Sequence, residues 1–251
     1  MKIITLNLAR KDDLGEDYAA RIKRIADFLD QEQADVVCFQ EVSFSENGQS
    51  LADDINKLMK KPHKNVWSKI SRKCKIKNVP PEKRATSMKK LYEKDKNAIF
   101  TDGEAVMSNL DAAELKTLCL HRVATDERGR RDPHPRIAQN LNFKNFKITN
   151  IHLAANNNAH VQLEELLKRI KHDRTIIGDF NMTSAQLKQH KDLWQKDYCL
   201  LAEDYPYISF LADDVAYDHV LIPKNYQAKL LGTKNHLSDH CALVFEITNQ
   251  F

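Results

Sequence analysis

The sequence predicts an α/β protein built on strands covered from both faces, and three observations lead there. The runs D-V-V-C-F-Q-E-V from Asp35 and R-T-I-I-G-D-F-N from Arg174 are apolar at successive positions, as a strand with layers on both sides requires. Residues 2–8, 17–33 and 36–41 read as strand, helix and strand, a spacing that suits a right-handed crossover. The run at Arg174 breaks at Gly178 and delivers Asp179 and Asn181, and other strand ends also finish in polar residues able to do chemistry. Residues two apart on an extended backbone point the same way, so this carboxylate and this amide share one side of the strand end. Gly, Asp and Asn are also ordinary turn residues, so G-D-F-N alone decides nothing.

At 251 residues the chain has room for one large domain with a sizeable core, and no repeat, linker or low-complexity tract divides it. Hydrophobic residues make up 42% and charged residues 29%, which is ordinary for a soluble globular protein. No apolar run approaches the ~20 residues that cross a bilayer. The opening M-K-I-I-T-L-N-L turns polar too soon for a signal peptide and alternates like a strand. The five cysteines (Cys38, Cys74, Cys119, Cys199, Cys241) are scattered, and Cys38 and Cys241 lie inside strand-like runs. Reduced thiols are expected, without a disulfide framework or a zinc site, and a cytoplasmic location fits best.

The net charge of +4 conceals an asymmetry. Residues 57–96 hold thirteen Lys and two Arg against Glu82, Glu93 and Asp95, a local balance of +12, so the remainder carries −8. Pro62, Pro80 and Pro81 interrupt this segment, and Trp67 and Tyr92 sit among its lysines. A solvated insertion is the bland reading; its size and one-sidedness favour a docking arm for a polyanion.

Along the chain, Asn7 ends the first strand, and the helix at 17–33 turns Tyr18, Ile22, Ile25 and Leu29 inward. Glu41, at the far end of the next strand, must be solvated, paired or bound to a metal. A helix is expected over 50–59, and a hairpin over 98–108 with T-D-G-E as its turn. Residues 121–136 read as irregular and hold five arginines against three acids. Arg136 is the candidate phosphate contact among them, since guanidinium forks match phosphate oxygens. Strands follow at 137–143 and 146–153, the second carrying Ile148, Asn150 and His152 on one face, then a helix at 160–172. After the strand ending at Asp179, residues 184–196 are weakly helical and 197–213 mostly loop. A-Y-D-H-V-L-I-P gives a strand carrying Asp218, a further strand runs to Leu231, H-L-S-D-H is a polar loop, and C-A-L-V-F-E-I closes the sheet.

The segments T-L-N, F-Q-E-V, N-I-H-L, G-D-F-N, Y-D-H-V and S-D-H, in this order from residue 5 to residue 245, resemble the endonuclease/exonuclease/phosphatase superfamily, the deoxyribonuclease I-like fold. That resemblance implies a four-layer α/β/β/α sandwich: two mixed sheets face to face, helices outside and the active site at one edge. It also implies hydrolysis of a phosphoester with a divalent metal, Mg2+ or Mn2+. Carried over by position, Glu41 and Asp239 would be metal ligands with Asn7 beside them, and Asp179 would orient or deprotonate the attacking water. Asn181 and His152 would hold phosphate oxygens, and His240, paired with Asp218, would be the acid–base or the cation facing the phosphorane. Y-D-H-V matches least well, and the basic 57–96 segment matches nothing general in the family. Oxygen donors without cysteine independently suit a hard cation.

The histidine of N-I-H-L resembles the deoxyribonuclease I, sphingomyelinase, deadenylase and lipid-phosphatase branches, and counts against abasic-site repair. A Mg2+-dependent phosphodiesterase acting on nucleic acid is the leading expectation, because lysines neutralise phosphates and aromatics can stack on bases. An anionic lipid headgroup would attract the same basic arm, which keeps a phospholipid or phosphoinositide phosphatase, or a sphingomyelinase-like phosphodiesterase, as the alternative. A non-catalytic binding module of the same fold is the third reading.

Overall fold

A computed structural model describes residues 1–9, 17–45, 47–78, 81, 89, 92–93, 95–97, 99–120, 136–155, 159–203 and 207–249. Two six-stranded mixed sheets form its centre. The first runs β11(Tyr226–Lys234), β12(Ala242–Asn249), β1(Lys2–Asn7), β2(Val36–Gln40), β4(Ile99–Ser108) and β3(Asn65–Lys75). The second runs β5(Ala112–Leu120), β6(Arg136–Phe143), β7(Phe146–His152), β8(Thr175–Asp179), β10(Asp218–Pro223) and β9(Tyr198–Leu200). Helices α1(Tyr18–Glu32) and α2(Leu51–Leu58) cover the first sheet, and α3(Ala159–Arg169) and α4(Ser184–Gln189) cover the second.

Period-2 alternation along each buried strand builds three separate cores. Val37 and Phe39 of β2 point out against Ile25, Leu29 and Ile55 of the helices, while Val36 and Cys38 point in. Ile151 of β7 packs outward with Leu163 and Leu166 of α3, while Ile148 packs inward with Ile3, Val106 and Ile177. Each fully buried Leu or Ile contributes roughly 1.5–3 kcal/mol. That is why the continuous apolar runs predict central strands: both of their faces lie in a core.

Local chemistry sets the helix ends. Asp17 accepts from the Ala19 N–H, and Ser50 with Asp53 forms a reciprocal capping box that opens α2. Buried Arg21 on α1 donates to the carbonyls of Leu8 and Ala9 at 3.2 and 3.4 Å, tying the helix to the end of β1.

The structure corrects three expectations. The hairpin expected over 98–108 is absent among the described residues 99–108, where β4 runs unbroken through T-D-G-E. Its glycine serves a close approach instead, since a Cβ on Gly103 would meet the Lys69 carbonyl at 2.1 Å, beside a bulge between Ile70 and Arg72 of β3. The basic stretch expected as an insertion over 57–96 supplies a sheet strand, β3, over 65–75. Its Trp67 packs edge-on against Phe143, with ring centroids 6.2 Å apart, and so is not an open stacking surface. Strands β5 and β9, in stretches without a strand signal, complete the second sheet. The arginines of the 121–136 stretch other than Arg136 lie outside the described residues. Among the described residues no helix is long and apolar enough to cross a membrane.

Gly178 is tightly constrained in the second sheet. Its φ is +138°, and a Cβ there would meet the Ile151 carbonyl at 2.1 Å and the Gln40 side-chain nitrogen at 3.1 Å. Gly178→Ala is expected to cost at least about 2 kcal/mol in denaturant-measured stability, through overpacking and backbone strain. Gly48→Ala, with φ of +85° but open space around it, is expected to cost less; equal losses would show that crowding at Gly178 is relieved by adjustment.

Candidate active site

Strand register assembles the site. Parallel pairing sets His152 of β7 beside Asp179 of β8, and antiparallel pairing sets Asp179 beside Asp218 of β10. Three ionisable side chains therefore stand abreast at one end of the second sheet, on strands about 4.8 Å apart. In the first sheet Asn7 lies level with Gln40, and Glu41 follows directly. All of them end strands on the same edge of the sandwich.

Asp179 is the hub. Asn7 reaches across the gap between the sheets, its Nδ2 donating to Asp179 Oδ2 at 2.9 Å. The Asn181 N–H donates to Asp179 Oδ1 at 2.8 Å, and Asn181 Nδ2 donates to the Leu153 carbonyl at 2.9 Å. His152 Nε2 lies 3.5 Å and His240 Nε2 4.0 Å from Asp179 Oδ2. His152 Nε2 is also 3.7 Å from Glu41 Oε1. On its other side, His240 Nδ1 donates to Asp218 Oδ2 at 2.7 Å. Glu41 and Asn181 both hold left-handed backbone, with φ of 54° and 49°. Neither is glycine, so local strain is maintained at the two residues that flank the hub.

The charges are tuned by burial and by one another. Burial, then Asp218, pushes the Asp179 carboxyl above the ordinary range, while His240 and the hydrogen bonds from Asn181 and Asn7 pull it back. Burial alone would lower the His240 imidazole. The charge and hydrogen bond of Asp218, followed by Asp179 and Asp239, outweigh it and raise His240 to about 10. His240 is therefore cationic at neutral pH.

The loop 236–240 is fixed by the serine of its own S-D-H segment and by partners that carry no signal in the sequence. Ser238 Oγ donates to the Asn7 carbonyl at 2.7 Å and accepts from the His240 N–H at 2.9 Å. Buried Ser209 Oγ accepts from the N–H groups of both Tyr217 and Asp218, each at 2.9 Å. The Leu211 N–H bonds the Asp239 carbonyl at 3.1 Å, the Cys241 N–H bonds the Ser209 carbonyl at 2.7 Å, and the Phe210 ring lies 4.9 Å from His240. Ser209 and Phe210 sit in a stretch read only as loop; neither spacing nor residue type marks them. Below the site, Gln40 Nε2 donates to Asn150 Oδ1 at 2.7 Å, a second polar link between the sheets.

Asn7, Glu41, His152, Asp179, Asn181, Asp218, Asp239 and His240 thus converge on one edge, as their positions in the sequence suggest. Arg136 differs. It is 4% exposed, and its charge acts on Glu104, whose carboxyl is pushed well above the ordinary range by burial and by Asp102 and is lowered by Arg136. An internal partner fits this burial better than an open phosphate contact. Glu104 lies in the T-D-G-E stretch that reads as a turn; it is 1% exposed, and its Oε2 has no hydrogen-bond partner among the described residues.

The donor set for a cation is small. Among the described residues no three His, Cys, Asp or Glu side chains gather closely enough to hold a metal ion by themselves. Glu41, Asp239 and Asn7 offer two carboxylates and an amide as candidate oxygen donors, with Ser238 Oγ linking Asp239 to the Asn7 backbone. That chemistry fits Mg2+, which typically takes one or two carboxylates and completes its octahedron with water and substrate phosphate. A hollow of about 330 Å³ lined by Lys188, Tyr207 and His219 is separate, because His219 points to the face of β10 opposite Asp218.

No protein-family model matches the sequence, and neither does any curated protein. Solved structures do match along nearly the whole chain. An endonuclease/exonuclease/phosphatase protein from Bacteroides vulgatus is 16% identical with a TM-score of 0.68, covering 99% of this chain and 98% of that one. A mannosyl-6-phosphatase from Bacteroides thetaiotaomicron is 15% identical with a TM-score of 0.65, covering 99% of each chain. The human nocturnin catalytic domain, solved with a bound sulfate anion, is 18% identical with a TM-score of 0.65, covering 99% of this chain and 93% of that one. The four-layer sandwich described above is the fold of the endonuclease/exonuclease/phosphatase proteins, the deoxyribonuclease I-like fold.

The raised His240 has a consequence for stability. Its stabilising charge is fully present below about pH 6.5, the ordinary histidine range, and is lost as pH rises through 10. Thermal stability is expected to decline between about pH 7 and pH 10. In Asp218→Asn that decline flattens, because the folded and unfolded values move together; parallel profiles for the two proteins would refute the pairing.

Proposed function

We propose that this chain is a Mg2+-dependent phosphodiesterase that hydrolyses nucleic-acid phosphodiester bonds. The observation that carries the proposal is Asp179, held by Asn7 and Asn181 and set between two imidazoles at the edge of two sheets. Asp179 is placed to orient the attacking water and accept its proton, which its raised affinity for protons assists. Asn181 uses one amide N–H on Leu153 and retains another for a phosphate oxygen. His152, between Glu41 and Asp179, faces the same space and would take a second oxygen. His240, kept cationic by Asp218, stabilises the negative charge that develops on the phosphoryl oxygens and can donate a proton to the departing oxygen. Glu41, Asp239 and Asn7 would hold the cation, which when bound neutralises charge on the transferring phosphoryl group.

Two of the matched structures, a mannosyl-6-phosphatase and a catalytic domain with a bound sulfate anion, support phosphoester chemistry. The concentration of lysines in 57–96 supports a polymeric substrate.

The test is hydrolysis of labelled single- and double-stranded DNA and RNA beside anionic phospholipids and small phosphate monoesters, each with Mg2+ and with EDTA. Cleavage of a nucleic acid that stops on chelation is expected. Glu41→Gln and His240→Ala are each expected to lower the rate at least ~100-fold. Full-rate cleavage in EDTA would remove the metal from the mechanism, and headgroup release without nucleic-acid cleavage would move the substrate to lipid.

A further inference from the structure

We infer that the half of β3 beyond Ser68 is a track that grips the backbone of a nucleic-acid strand, holding phosphates that flank the reacting one without reading bases. The inference rests on the phosphodiesterase reading of the site, because register relates the track to that site. Phe39 of β2 is level with Ala105 of β4 and Ser68 of β3. One residue further, Lys69 stands opposite Glu104, two strands away from Gln40 and so about 10 Å along the sheet. β2 ends there, while β3 and β4 continue as a ribbon through the pairs Lys73 with Thr101 and Lys75 with Ile99. The ribbon therefore extends on the same edge as Glu41.

Its chemistry is one-sided. β3 holds Lys69, Arg72, Lys73 and Lys75 and no acidic residue. Arg72 is turned inward, with its guanidinium 5.3 Å from the centre of the Phe100 ring. Lys69, Lys73 and Lys75 are exposed, and none makes a hydrogen bond or ion pair with a described residue. Elsewhere Lys23, Lys64, Lys147 and Lys168 are matched to carboxylates. Glu104 faces Lys69 from a fully buried position, where burial favours its neutral form.

The same strand argues for phosphates over other partners. An anionic membrane would be met by apolar side chains beside the cations, and none of the exposed large hydrophobics lies on β3. Stacking on bases would use Trp67, which is packed against Phe143. The bulge sets Lys69 on the Glu104 face and Lys73 and Lys75 on the other face. This edge strand thus presents unpaired lysines to both sides of its rim, an arrangement that leaves contact with a linear phosphate backbone running along the edge.

The test compares Lys69→Gln/Lys73→Gln/Lys75→Gln with Lys224→Gln/Lys229→Gln/Lys234→Gln, an equal change of charge at the opposite sheet edge, after matched melting temperatures establish that both fold. Binding of a fluorescent single-stranded oligonucleotide is followed by anisotropy in EDTA, so that no cleavage occurs, over a range of NaCl concentrations. The β3 variant is expected to bind at least ~10-fold more weakly and to lose about 2 from the slope of log affinity against log salt, at ~0.7 per phosphate released. The β11-side variant is expected to change affinity less than about 3-fold, and oligonucleotides of different base composition are expected to respond alike. Equal weakening in both variants, or an unchanged salt slope in the β3 variant, would overturn the track. So would β3-dependent binding to phosphatidylserine vesicles with oligonucleotide binding unaffected. An oligonucleotide held through β3 yet left uncut with Mg2+ supports the track and sinks the phosphodiesterase reading instead.

Discussion

Two buried hydrogen bonds between the sheets fix the geometry on which everything else rests. Asn7 donates to Asp179, and one layer beneath it Gln40 donates to Asn150, whose own amide reaches back to the carbonyls of Phe39 and Ala105. An apolar sandwich could slide, since dispersion contacts between Ile and Val have little directional preference. Buried amides cannot, because each shift would leave a donor unsatisfied at a cost of about 1–3 kcal/mol. The polar seam thus holds the two strand-end rows in one alignment, and Gly178 permits it by leaving room for the Gln40 side chain.

That seam also explains how four ionisable groups can share so little solvent. Asp179 and Asp218 are both buried, and two bare carboxylates side by side would repel. One imidazole lies between them: His240 bonds Asp218 and approaches Asp179 with its other nitrogen. The pair of acids is therefore tolerated because a cation is fixed between them, and that cation is fixed because Ser209, Ser238 and Phe210 hold the loops that carry it. Left-handed backbone at Glu41 and Asn181 is a further local cost borne by the cores below.

Much of this is legible in the sequence alone. Central strands announce themselves because both faces are buried, so β2, β8, β10 and β12 appear as apolar runs, and the polar residues that end them stand out. Pairing register then follows from that burial, which is why Asn7, His152, Asp179 and Asp218 converge. Edge strands lack the signal. β5 is largely exposed and reads A-A-E-L-K-T-L-C-L, a composition as suited to a helix, and β9 is three residues long. Gly103 reads as a turn because glycine marks tight backbone approach as well as reversal, and only the partner strand distinguishes them. Ser209 escaped notice since its role is to accept two backbone N–H groups, which any serine in any loop could do.

The position of β12 carries a consequence for synthesis of the chain. Residues 242–249 insert between β11 and β1 in the first sheet, pairing Thr5 with Leu243 and Lys2 with Glu246. β1 must therefore wait, unpaired on that side, until a segment some two hundred and forty residues later has emerged from the ribosome. Contacts of such long sequence separation form slowly and late. Asp239 and His240 lie just before β12, so the cluster around Asp179 comes together only once that strand has paired with β1.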